Sequence, residues 1–77
     1  CIAGAGAAGI TLALALAGSG LHVLLLEGGG LDFEDEVQAL YAGENAGLEY
    51  YPLDACRLRY FGGTTNHWGG RSQPLSP

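Results

Sequence analysis

At 77 residues the chain falls below the usual domain size of about 100 to 150 residues and reads as a fragment; its start at Cys1 inside an apolar run and its close at Pro77 without a terminating element fit that reading. A content of 48% hydrophobic and 14% charged residues excludes the composition of a disordered tail and suggests segments meant to be buried on more than one side. Three arginines, no lysine and eight acids leave a net charge of -5, which gives a nucleic-acid or anionic-membrane surface no electrostatic support, so any phosphate has to be held mainly by backbone amides.

In chain order, Cys1, Ile2 and Ala3 read as the end of a buried strand that runs into the loop Gly4-Ala5-Gly6-Ala7-Ala8-Gly9. The alanine- and leucine-rich stretch Ala7 to Ala17 predicts a helix of about three turns, closed at Gly18 by a left-handed cap. Leu21 to Leu26 is an apolar run of strand length, and its near-continuous hydrophobicity fits a parallel strand covered on both faces. The uncharged stretch Ile2 to Leu26 also raises a membrane-spanning or signal segment. Gly18, Ser19, Gly20 and His22 interrupt it, however, and no basic region precedes it.

After Gly28-Gly29-Gly30, the acids Asp32, Glu34, Asp35 and Glu36 stand where the start of a short helix carrying Val37, Ala39, Leu40 and Tyr41 would have them. Residues 42 to 54 show no period and read as loop, and Arg57 to Pro77 is a second glycine-rich stretch with polar and aromatic residues interleaved. Cys1 and Cys56 form neither a metal-ligand spacing nor a disulfide framework, so no metal site is expected. The chain thus divides into a strand-helix-strand unit (1-30), a helix and loop (31-56) and a second glycine segment (57-77).

A helix N-terminus meets phosphate charge with unpaired N-H groups and the positive end of its dipole. In that geometry Gly4 permits the tight turn out of the strand, Gly6 lets the backbone approach the phosphates, and Gly9 lets the helix lie close on the sheet, with Ala7 and Ala8 supplying first-turn amides. The second strand ends on Glu27, about twenty residues past the loop, where a carboxylate accepts hydrogen bonds from the ribose hydroxyls of a dinucleotide. Its charge disfavours NADP, whose 2'-phosphate it would repel. The alternative for the loop is a glycine- and alanine-rich buried turn with no ligand, and for Glu27 a plain strand-end carboxylate. The fold class expected is α/β, the N-terminal βαβ part of a Rossmann-like domain that needs more strands than this chain supplies.

The segment Arg59-Tyr60-Phe61-Gly62-Gly63-Thr64-Thr65-Asn66-His67-Trp68-Gly69-Gly70-Arg71, taken with the first loop and Glu27-Gly28-Gly29, resembles the glucose-methanol-choline family of FAD-dependent oxidoreductases. The resemblance spans nearly the whole chain, with Leu31 to Cys56 adding little. It implies that the chain is part of an FAD-binding domain in which Gly62, Gly63, Thr64 and Thr65 bring main-chain amides and small side chains against the pyrophosphate and isoalloxazine. It also implies an enzyme that passes hydride from CH-OH groups of an alcohol or sugar substrate to flavin, with catalytic residues near the far end of a longer chain and none here. The fragment alone is then expected to be inactive.

His67-Trp68 is similar to the segment of pyranose oxidase-like members in which a histidine is joined covalently to the flavin; the alternative is a histidine that packs or hydrogen-bonds beside the ring. Gly69 departs from those members, which carry a polar side chain after the tryptophan. His22 reads as a surface residue without partner ligands, and Arg57, Arg59 and Arg71 each face either phosphate or solvent. Two rival readings remain: another FAD- or NAD-dependent oxidoreductase sharing only the first loop, against which Gly62 to Gly70 argues, and a noncatalytic apolar segment, against which Glu27 argues. No direct membrane contact is expected of this segment, and a soluble protein of either the cytoplasm or the exported compartment fits it.

Overall fold

The structure is a computed structural model that describes residues 1-76. It is a small mixed α/β arrangement with a two-stranded parallel sheet: β1 (Ile2–Ala3), α1 (Ala7–Leu16), β2 (Leu25–Leu26), α2 (Asp35–Gln38) continued by a 3-10 turn (Ala39–Tyr41), α3 (Leu53–Cys56), and a second 3-10 turn (Gly63–Asn66). Ile2 pairs with Leu25 and Ala3 with Leu26. The Ile2 amide donates to Leu24 O at 2.8 Å and the Gly4 amide to Leu26 O at 2.7 Å. Parallel pairing follows from the helix between the strands, which returns the chain to the same end of the sheet before the second strand begins.

α1 ends one residue earlier than the composition suggested. Ala17 leaves helical space at φ -61° and ψ 131°, Gly18 adopts φ +78°, and Ser19 closes the end by donating from both its amide (3.1 Å) and its hydroxyl (2.7 Å) to Leu16 O. A left-handed residue just past the helix thus falls to the glycine expected to take it. β2 is shorter than Leu21 to Leu26 for a reason that lies in its partner. β1 offers only two residues before Gly4 turns away at φ +101°, so only two can pair.

Burial departs furthest from expectation. Leu12, Leu14, Val23, Leu24 and Leu26 are exposed, and Ala5, at 1% exposure, is the buried hydrophobic residue among those described. Among the described residues, the sheet is therefore not covered on both faces, since apolar side chains of both α1 and β2 stay exposed. The buried hydrophobic point among the described residues is instead Ala5, where the two glycine turns cross. α3 forms where residues 42 to 54 read as loop, and it extends two residues past them. Pro52 caps it, its carbonyl accepting from the amides of Ala55 (3.0 Å) and Cys56 (3.1 Å), and a helix of four residues is too short to show a hydrophobic period.

Candidate functional site

The first glycine loop links β1 to α1, and each of its glycines has a distinct environment. Gly4 needs its positive φ. Gly9 lies hard against the end of β1: a Cβ there would fall on the Gly4 carbonyl oxygen and stand 3.4 Å from Ile2 Cγ2, so it does let the helix lie close on the strand. Gly6, by contrast, caps α1 in extended conformation, and a Cβ on it would meet nothing within 4 Å. No side chain caps α1 and no acid stands in its first turn. The first-turn amides, which include those of Ala7, Ala8 and Gly9, therefore have no intrahelical acceptor and no side-chain cap among the described residues.

Glu27 sits one residue beyond β2 and bridges two turns. Its Oε2 accepts the Ala5 amide at 2.8 Å and its Oε1 the Gly29 amide at 3.0 Å. The Ala5 N-H is the main reason its carboxyl lies below the usual carboxylate value; desolvation opposes this, while the Gly29 and Gly28 amides and the Arg59 guanidinium add to it. Each carboxylate oxygen has two acceptor positions, and each spends one on the backbone. Ionised and half-buried, Glu27 thus retains acceptor capacity on both oxygens for further donors.

The second glycine segment lies directly on the first. The Phe61 amide donates to Gly30 O at 2.9 Å and the Gly62 amide to Ala5 O at 2.7 Å, and a Cβ built on Gly63 would stand 3.5 Å from Gly6 Cα. Two further glycines make the approach possible. A Cβ on Gly28 would come within 2.5 Å of the Arg59 guanidinium, and one on Gly29 would strike the Arg59 carbonyl and come within 2.7 Å of Tyr60 Cα. Gly62 (φ +92°) and Gly63 (φ +57°) then reverse the chain into the 3-10 turn.

Of the residues singled out from the sequence, Gly4, Gly6, Ala7, Ala8, Gly9, Glu27, Gly62 and Gly63 come together at this crossing. Thr64 and Thr65 follow on the turn, and their hydroxyls are engaged within it: Thr64 Oγ1 accepts the Leu58 amide at 3.2 Å, and Thr65 Oγ1 donates to Gly62 O. Each hydroxyl keeps unused capacity, Thr64 as donor and Thr65 as acceptor. His67 closes the turn with its amide on Thr64 O at 3.0 Å; it and Trp68 are exposed. His22 is exposed and lies outside the paired part of β2. Cys1 and Cys56 are free thiols, and the described residues contain no group of three metal-ligating side chains and no helix long and apolar enough to cross a membrane.

Two residues that the sequence did not single out as a pair support the crossing. Gln38, 7% exposed, ties the end of α2 to the segment entering Gly62. Arg59 lays its guanidinium 5.3 Å from the Tyr41 ring centroid, beside Gly28, and its Nε is buried without a hydrogen-bond partner. Nothing in the sequence marks Gln38: it shares a helix face with Tyr41, three positions on, but one polar side chain in a helix this short makes no pattern. No protein-family model, curated protein or solved structure matches the chain.

Proposed function

We propose that the chain forms the adenosine-and-pyrophosphate end of an FAD site, on the first βαβ unit of a Rossmann-like domain, in an oxidoreductase acting on CH-OH groups of alcohols or sugars. The observation that carries this reading is the convergence of an uncapped helix N-terminus, an ionised carboxylate at the end of the neighbouring parallel strand and a second glycine turn, all within one hydrogen-bonded crossing. The residues present fit such a group. The side of Gly6 is open, the first-turn amides of α1 suit a pyrophosphate without help from lysine or arginine, and the spare acceptor positions of Glu27 suit ribose hydroxyls. Gly62 and Gly63, having no side chains, allow a flat ring to approach the turn closely, and the hydroxyls of Thr64 and Thr65 are polar groups able to tune its electron affinity.

FAD, when bound, supplies the two-electron acceptor for hydride drawn from a substrate C-H bond. The chain's own part is to bind and orient: α1 amides hold charge, Glu27 selects an unphosphorylated ribose, and the second turn walls the site. A base for the substrate hydroxyl is expected from elsewhere in the protein.

The full-length protein is expected to purify with a chromophore that mass spectrometry identifies as FAD after denaturation. Recovery of NAD, or of no nucleotide from protein reconstituted with FAD, would overturn the proposal. The same preparation tests His67. Flavin that stays with acid-precipitated protein and is lost to the supernatant in His67→Ala would establish a tether, while complete release from the parent protein would restrict His67 to packing or hydrogen bonding beside the ring.

A further inference from the structure

Gln38 is the buried polar residue among those described, and it occupies the last position of α2, away from both glycine loops in sequence. Its carboxamide serves main-chain groups of a different part of the chain. Nε2 donates to the carbonyls of Asp54 (2.6 Å) and Arg57, and Oε1 accepts the Arg59 amide at 3.0 Å. A carboxamide has two N-H donors and a carbonyl acceptor, and all three are in use. Its partners also dictate which way round it sits, because the flipped group would set its oxygen against two carbonyls and its NH2 against an N-H.

The three contacts fasten one stretch, the end of α3 and the strand-like approach to the second glycine turn. From there Arg59 lies against Gly28 and Gly29, Phe61 hydrogen-bonds Gly30, and Gly62 hydrogen-bonds Ala5. The attachments of this stretch run in order: Arg59 to Gln38, Phe61 to Gly30, Gly62 to Ala5. The first is made by the Gln38 side chain, which also holds the Asp54 and Arg57 carbonyls just upstream, whereas the other two join main chain to main chain. The parallel strand pair and the Glu27 bridge to Ala5 have their own hydrogen bonds, none of which involves Gln38.

We propose that Gln38 is a positioning residue for the second glycine turn, setting where Gly62 and Gly63 cross the Gly4 to Gly9 loop and so governing the flavin side of the site while leaving its ADP side intact. The ligand half of this inference rests on the FAD reading, whereas the positioning half is a property of the chain alone.

The test uses Gln38→Glu and Gln38→Met in the full-length protein. Glutamate keeps size and an acceptor but sets a carboxylate against the Asp54 and Arg57 carbonyls; methionine keeps length without either function and serves if the charged variant does not fold. Amide hydrogen exchange is expected to quicken at Phe61 and Gly62 by about tenfold or more while Gly4 and Ile2 hold their protection, the signature of local rather than global opening. FAD affinity is expected to fall by about tenfold, with the affinity for ADP, the probe of the first loop alone, changed by less than about twofold. Unchanged exchange at Phe61 and Gly62, or equal acceleration at all four amides, would overturn the positioning role. Parent protein that binds neither FAD nor ADP, with the exchange pattern as expected, would overturn the FAD reading and uphold the positioning of the turn.

Discussion

Gly9→Ala is expected to destabilise the chain by about 1 to 3 kcal/mol through overpacking and to abolish FAD retention. The added Cβ falls on the Gly4 carbonyl oxygen, with the carbonyl carbon 3.1 Å away. These are backbone atoms, which no rotamer change moves aside. Gly4 is itself held, its amide on Leu26 O at 2.7 Å, so relief has to come from α1 lifting off β1, which carries the first-turn amides away from their aim. Gly6→Ala provides the contrast. Its Cβ meets nothing within 4 Å and its φ of -84° suits any residue, so the urea midpoint is expected to stay at the parent value while FAD retention falls, because the methyl group occupies the open side of the loop. Equal midpoints for Gly9→Ala and the parent would show that the loop is looser than the structure has it. Full FAD retention in Gly6→Ala would remove the pyrophosphate from that side.

Glu27→Gln is expected to cost about 1 to 3 kcal/mol and to weaken FAD retention, since hydrogen bonds to a charged group and an unsatisfied buried N-H are each of that order. A carboxamide can accept from the Ala5 amide or the Gly29 amide, but its NH2 then faces the other donor. The loss is moderated because the carboxylate is only half-buried and partly solvated. The pH dependence separates this from general damage. Glu27 in the folded chain lies below its ordinary value of 4.5, so as pH falls the unfolded chain takes up the proton first. The stabilisation is fully present above pH 4.5 and is lost as pH falls through the depressed folded value. The stability gap between parent and Glu27→Gln, read from urea denaturation across a pH series, is therefore expected to be constant above pH 4.5 and to narrow below it. A gap that stays constant throughout would mean that the Ala5 and Gly29 contacts do not depend on the charge.

The two variants also divide the labour of the site. Gly9 acts through its steric fit against the Gly4 carbonyl and Ile2, whereas Glu27 acts through its charge on the Ala5 and Gly29 amides. Gly9→Ala is thus expected to show the same stability loss at every pH at which the parent folds. A double variant would report on their coupling through the loop, in which Ala5, 1% exposed, donates its amide to Glu27.

Much of this arrangement was legible in the amino-acid sequence. The order strand, loop, helix, strand, the left-handed glycine after the helix and the short acid-led helix at Asp35 all follow from local preferences that act within a few residues or over one helix length. The apolar run Leu21 to Leu26 predicts a longer strand than the two residues that pair, because hydrophobicity says only that residues prefer burial; pairing needs a partner, and β1 is two residues long. α3 was invisible because four residues cannot show a period.

The glycines, whose conformational freedom is a property of the residue, and the spacing from Gly4 to Glu27, which one helix and its return strand span, are set by amino-acid order alone. The tertiary structure decided what those residues meet. It placed the Glu27 carboxylate on the Ala5 and Gly29 amides, laid Gly62 and Gly63 across the first loop, and brought Gln38 to carbonyls and an amide up to 21 positions away. Hydrogen-bond partners so distant along the chain leave no period and no local preference, because the geometry that unites them exists only once the turns have closed on one another.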